Sequence, residues 1–168
     1  ICIILIMTSC DQVIFPEPQP PKVNPLTEIP ESLRGAFVDE DGDTLFVRHH
    51  HFSYYDDLVE MTDIYLSDSA VLKSYKGRFY YSARIRLQGE QYWLCYILLP
   101  AEYGFDLYTM DPDDIVKLAK LQDITSKIGD IKDGDAEYYL FDPKRKHYKK
   151  IISDSVFTKM ISFRKIGE

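Results

Sequence analysis

The sequence predicts a mainly β fold of the α+β kind: an antiparallel β-meander, a curled sheet or small barrel, with two short helices late in the chain. Three observations predict it. Thirteen tyrosines and nine phenylalanines favour strands, because aromatic rings fit a pleated, half-buried surface. Apolar and β-branched runs recur between Ala36 and Met110, with turn residues between them. Asp111-Pro112 and Asp142-Pro143 each offer a helix cap followed by proline at the first helical position.

In chain order, Ile1 to Met7 is an unbroken apolar run, followed by Thr8, Ser9, Cys10 and then the polar Asp11 and Gln12. The run is far shorter than the roughly 20 apolar residues that span a bilayer, and it reads as the tail of a processed signal whose front is missing. The stretch ending at Cys10 resembles the lipobox of bacterial lipoproteins. That resemblance implies a signal peptide over 1–9, acyl chains on Cys10 as the lipid attachment residue, and a place in the bacterial cell envelope, on the periplasmic face or the cell surface. Six of the nine prolines then fall between Phe15 and Pro30. Proline cannot donate to a ladder and favours extended polyproline geometry, so residues 10–31 read as a lipidated cysteine and a proline-rich tether. Residues 32–168 are left for a single β-rich domain, long enough for its own core.

Within that domain, Ala36–Val38 and Thr44–Val47 flank Asp39-Glu40-Asp41-Gly42-Asp43, and Asp-Gly between apolar runs predicts a hairpin. The opening Leu33-x-Gly35-x-Phe37, followed by a hairpin, is similar to lipocalin-like domains. His49, His50 and His51 read as an exposed strand end, since alternate residues of a strand face opposite sides. Strands are then expected over 64–66, 70–76, 78–87, 91–99 and 105–110. In 78–87, Phe79, Tyr81, Ala83, Ile85 and Leu87 form an apolar face against a polar Tyr80, Ser82, Arg84 and Arg86, which predicts a half-buried strand. In 91–99 both faces are apolar, which predicts a central strand, and the pair 78–99 is the expected core hairpin. Cys95 falls there as a buried thiol.

The two helices are expected near 112–121 and 143–152. In the first, Ile115, Leu118 and Ala119 form the packing stripe. A short strand near 124–128, a turn at Lys132-Asp133-Gly134, a strand over 137–141 and a last strand over 156–166 complete the domain.

The chemistry is mostly negative. There is no phosphate-cradling glycine loop, no Gly-x-Ser-x-Gly elbow, no His-Glu-x-x-His and no Cys-x-x-Cys pair, so no catalytic residue, metal ligand or cofactor is named. A net charge of −7 argues against nucleic acid. Lys144, Arg145, Lys146, Lys149 and Lys150 form the basic exception. The expected function is a membrane-anchored, non-enzymatic module binding an unidentified small molecule. The alternative is an envelope interaction or scaffold protein using an exposed sheet face or the basic helix, and a hydrolase comes third.

Overall fold

The computed structural model describes residues 11–56 and 59–167. Among the described residues there are twelve strands: β1 (Gln12–Ile14), β2 (Gly35–Val38), β3 (Thr44–Val47), β4 (His51–Asp56), β5 (Val59–Tyr65), β6 (Ala70–Tyr75), β7 (Arg78–Leu87), β8 (Glu90–Ala101), β9 (Gly104–Thr109), β10 (Lys127–Asp133), β11 (Ala136–Phe141) and β12 (Thr158–Lys165). Helices α1 (Ile115–Ile124) and α2 (Tyr148–Ser153) lie between β9 and β12. Nine strands form one antiparallel sheet in the order β5-β4-β3-β2-β12-β9-β8-β7-β6, and β1-β11-β10 form a second. The meander and the 78–99 hairpin are as the sequence predicts: Phe79 pairs with Leu98 and Leu87 with Glu90.

The long sheet is almost a barrel, and its connectivity explains why. Its two edge strands, β5 and β6, are consecutive in sequence and joined by a tight turn in which Ser67 and Ala70 form an antiparallel bridge. Eight antiparallel steps across nine strands would leave β5 and β6 pointing the same way. Both conditions hold together because strand twist accumulates at about 20–25° per step, close to half a turn over the whole sheet. Phe52 of β4 and Tyr81 of β7 therefore meet across the interior, with ring centroids 5.8 Å apart.

Central strand β8 divides the hydrophobic residues. Leu94, Tyr96 and Leu98 face an inner cluster with Phe37, Leu45 and Phe105. Trp93, Cys95 and Ile97 face an outer cluster with Tyr148 and Ile151 of α2 and Leu121 of α1. The outer face of β7 departs from expectation: Tyr80 and Ser82 are fully buried, because the chain amino-terminal to the barrel and α2 cover what looks polar in sequence. That strand is buried on its outer face at Tyr80 and Ser82 and half-buried on its inner face at Phe79 and Tyr81.

The cover is the proline-rich segment, which is not a free tether. Gln12–Ile14 pair in parallel with Tyr138–Leu140, and Phe15 exchanges two backbone hydrogen bonds of 2.8 and 2.9 Å with Trp93, on the edge that β9 vacates beyond Tyr96↔Thr109. Gln19 is fully buried; its N–H donates to Ser82 Oγ at 3.0 Å and its Oε1 accepts from the Tyr148 hydroxyl at 2.7 Å. The Lys73 ammonium donates to the carbonyls of Pro18 and Pro20 at 2.6 and 2.9 Å. Leu26 N–H then bonds Leu72 O, and Ile29 N–H bonds His49 O, each at 2.7 Å, so Leu26, Ile29 and Leu33 close the barrel end beside the β3–β4 turn. Prolines forgo donors but keep acceptors, and a lysine from the edge strand uses them. The domain accordingly begins at β1, well before residue 32.

The helices start later than the Asp-Pro pairs suggest. Asp111 Oδ1 accepts from Asp113 N–H at 3.0 Å, a local turn that competes with helix, and Asp114 becomes the cap, accepting from Lys117 N–H at 3.1 Å. This rotates the packing stripe: Leu121 is buried, whereas Ile115 and Val116 are 76% and 61% exposed. In the second case a 3-10 turn at Arg145–His147 precedes a shorter α2. Strand β10 runs to Asp133, so the turn expected at Lys132-Asp133-Gly134 sits at Gly134-Asp135 instead.

One glycine is fixed by close approach. Gly104 has φ +154°, and a Cβ there would lie 2.0 Å from the Phe163 carbonyl oxygen, so the β9–β12 pairing needs its bare backbone. Gly104→Ala is expected to cost about 2–3 kcal/mol, the range of a strained backbone site, read from the urea midpoint.

Candidate functional site

The barrel interior is packed with side chains. A cavity of about 40 Å³ remains between Phe52, Tyr81, Tyr96, Leu107 and Phe163, far below the roughly 300–1,000 Å³ of small-molecule pockets. Tyr81 and Tyr96 stack at 6.3 Å and fill most of the space. An apolar ligand enclosed by the sheet, the form of binding that tyrosine-rich strands suggest, has no room here.

A larger concavity lies at the other end of β3 from the plugged one. It is a cleft of about 440 Å³ between β1, the β2–β3 turn, the β9–α1 connection and the start of β12. Leu94, Tyr96, Met160 and Ile161 supply its apolar lining, and Asp11, Asp41, Asp111 and Asp113 its carboxylates. The local reasons are legible. A bulge at Lys159/Ile161 interrupts the β9–β12 register, so Met160 and Ile161 both pack toward the inner cluster; bulges characteristically re-aim side chains in this way. Asp11 is held by Glu137, whose N–H donates to Asp11 Oδ1 at 2.9 Å. In the β2–β3 turn Asp39 Oδ1 accepts from the N–H groups of Asp41 and Asp43 at 3.0 and 2.9 Å, leaving the Asp41 carboxylate exposed at the tip.

A lysine marks the cleft, and a buried tyrosine lies in the inner cluster beside it. Lys159, the one lining cation among the described residues, is paired with Asp106 at 2.9 Å. Burial alone would raise the Asp106 carboxyl, but hydrogen bonds from Lys159 and Ser162 outweigh it and hold that carboxyl below the ordinary range. The Tyr96 hydroxyl, on a residue only 2% exposed, has no hydrogen-bond partner among the described residues. Burial, then the Cys95 thiol, pushes it up to about 12, so it stays a neutral O–H at physiological pH.

The basic residues gather elsewhere. Strands β1 and β11 run parallel, so the segments that follow them leave at the same end, and Lys22 there joins Lys144, Arg145 and Lys146 around a concavity of about 310 Å³ that also includes Glu17 and Pro21. Arg145 lies over the Tyr75 ring at 5.5 Å, and Lys144 is bonded to Asp142. The expected basic helix is thus a turn plus a loop lysine, with Lys149 and Lys150 exposed farther along α2.

Of the residues singled out in the sequence, Cys10 lies outside the described ones. Cys95 is buried as expected, and burial pushes its thiol up to about 12. His49 and His50 are exposed in the β3–β4 turn, and His51 packs on Tyr65 at 4.8 Å. Asp39 and Asp43 converge on the Tyr54 hydroxyl at 3.2 and 2.8 Å. Among the described residues no group of three or more His, Cys, Asp or Glu side chains is placed to hold a metal, and no helix is long and apolar enough to cross a membrane.

Sequence reasoning assigned none of the cleft. Its acids come from three separate segments, and Asp111 and Asp113 read as helix-start residues. No protein-family model, curated protein or solved structure matches the chain.

Proposed function

We propose that this chain is a lipid-anchored protein of the bacterial cell envelope whose domain is a non-enzymatic ligand-binding module, with its anchor at Cys10 and its ligand seat in the cleft. The observation that carries the binding reading is the cleft itself: a concavity of ligand size with an apolar lining and a few polar groups, the combination that ligand pockets share. The anchor rests on the lipobox-like stretch 1–10. Because β1 starts at Gln12, a lipid on Cys10 would hold the domain against the bilayer without a spacer, with the Asp11 side of the cleft nearest the membrane. Cys10→Ala is expected to abolish fatty-acid labelling and move the protein from the membrane to the soluble fraction. Unchanged labelling and fractionation would overturn the anchor.

A second reading is favoured by the basic concavity. It follows the carboxy-terminal end of β1, away from Cys10, so in an anchored protein Lys22 and Lys144–Lys146 would turn from the leaflet toward an acidic envelope partner. Charge reversal at Lys22, Lys146, Lys149 and Lys150 is expected to remove that partner from crosslinked envelopes while leaving the melting transition in place.

A further inference from the structure

We infer that the outer face of the barrel carries a second binding site, at Arg78, which takes a small organic acid: a carboxylate with a short apolar tail. The site is a cavity of about 150 Å³ between β7, β8 and β9 on one side and the end of α2 with its connection to β12 on the other. The local cause is the shortness of α2. That helix stops at Ser153, and Ser155, at φ +51°, turns the chain in the left-handed conformation that few side chains adopt. The carbonyls of Ile151 and Ile152 at the helix end accept from the N–H groups of Val156 and Ser155, each at 3.3 Å, so they are satisfied without a cation.

Three observations identify the ligand. Arg78 lines the cavity and is half-buried, yet its guanidinium has no hydrogen bond or ion pair among the described residues. A guanidinium fork left open in apolar surroundings fits a carboxylate through two parallel charge-assisted hydrogen bonds. The charges beside it share its sign: Tyr75, its cross-strand partner, carries Lys76 and Arg145 over its ring at 5.7 and 5.5 Å, and clustered cations draw anions. The acids of the surrounding elements are engaged, Asp106 by Lys159 and Ser162 at 2.9 and 2.7 Å, and Asp154 by the Ser153 hydroxyl at 2.9 Å and Lys150 at 4.0 Å. Finally, Ile97, Leu99, Ile152 and Phe157 supply apolar walls that an inorganic anion would leave unused. The Tyr108 and Ser155 hydroxyls complete the lining as further donors to a carboxylate. At about 15–30 Å³ per water-sized group the cavity holds about five to ten non-hydrogen atoms, the size of a short-chain acid.

Four probes divide the claim: hexanoate, hexanol without the charge, hexylamine with the charge reversed, and inorganic phosphate without the tail. Binding is followed through the methyl resonances of Ile97 and Ile152, and Met160 reports the cleft separately. Hexanoate is expected to shift Ile97 and Ile152 saturably, to leave Met160 in place, and to bind about tenfold or more tightly than the other three. Arg78→Gln is expected to weaken hexanoate about tenfold or more, the loss of a charge-assisted pair, with an unchanged melting transition as the folding control. If hexanol binds as tightly as hexanoate, the anion falls from the inference; if phosphate does, the tail falls. Equal binding by hexylamine, or undiminished hexanoate binding by the Gln variant, would show that Arg78 only extends toward water and would overturn the site. So would a hexanoate titration that leaves Ile97 and Ile152 unmoved, whatever Met160 does. The probe series on the natural protein decides the matter even if the variant fails to fold, and none of these outcomes bears on the cleft.

Discussion

Phe15→Ala is expected to lower the free energy of unfolding by about 3–5 kcal/mol, the cost of truncating a buried phenylalanine. Against a usual total of about 5–15 kcal/mol, that loss would be visible directly as a lower urea midpoint with an unchanged slope. The ring is 1% exposed and packs in the outer cluster with Trp93, Tyr80 and Tyr148, and its backbone closes the free edge of β8. Were residues 10–31 a solvated spacer, the same substitution would change stability by less than about 0.5 kcal/mol. The experiment therefore decides between a tether and an integral strand.

The amino-terminal segment shows where sequence reading runs out. Proline spacing reports what a chain cannot do, which is donate to a ladder. It is silent on acceptors, and here the carbonyls of Pro18 and Pro20 are what Lys73 binds. A buried lysine is rare unless paired, and nothing in Leu72-Lys73-Ser74 announces that this one is only 5% exposed. By contrast the barrel strands were legible, because their information is local. The alternation along β7, the two apolar faces of β8 and the Asp-Gly turn of β2–β3 each fit within about ten residues of sequence.

Helix starts were half legible. The cap chemistry at Asp111-Pro112 is real but is spent on a turn, and the identical signal recurs three residues on at Asp114. Which aspartate wins depends on packing: Pro112 is buried and Leu121 fits the outer cluster only with the later start. The cleft was the least legible feature. It is assembled from β1, β8, β9 and β12, and a bulge of the kind found at Lys159/Ile161 breaks the strict alternation that a strand pattern assumes.

Tyrosine burial has a consequence for pH. Burial raises the Tyr80, Tyr81, Tyr96 and Tyr148 hydroxyls above the ordinary value near 10, to about 12 for Tyr81 and Tyr96. Tyr54 is raised by burial and by its hydrogen bond to Asp43. A group whose folded-state value is raised gives stability that is complete below its unfolded value and is lost as pH climbs toward the folded one. For these tyrosines the loss begins near pH 10, and Cys95, raised by burial from 9.0 to about 12, begins it about a unit lower. Lys73 acts in the opposite direction: burial lowers its ammonium, so its cost is relieved as pH rises. One lysine opposes several tyrosines and a thiol, and the tyrosines win. Each raised unit is worth about 1.4 kcal/mol once pH has passed it, so Tyr81 and Tyr96 alone approach about 5 kcal/mol by pH 12. The domain is therefore expected to hold its urea midpoint up to about pH 9 and then lose stability steeply and cooperatively. The buried set ionises only as the domain unfolds, so tyrosinate formation and unfolding go together. Tyrosinate absorbance followed beside circular dichroism reads both events. A single smooth titration near pH 10 with the fold intact would show that these hydroxyls are not shielded by the barrel and its amino-terminal cover.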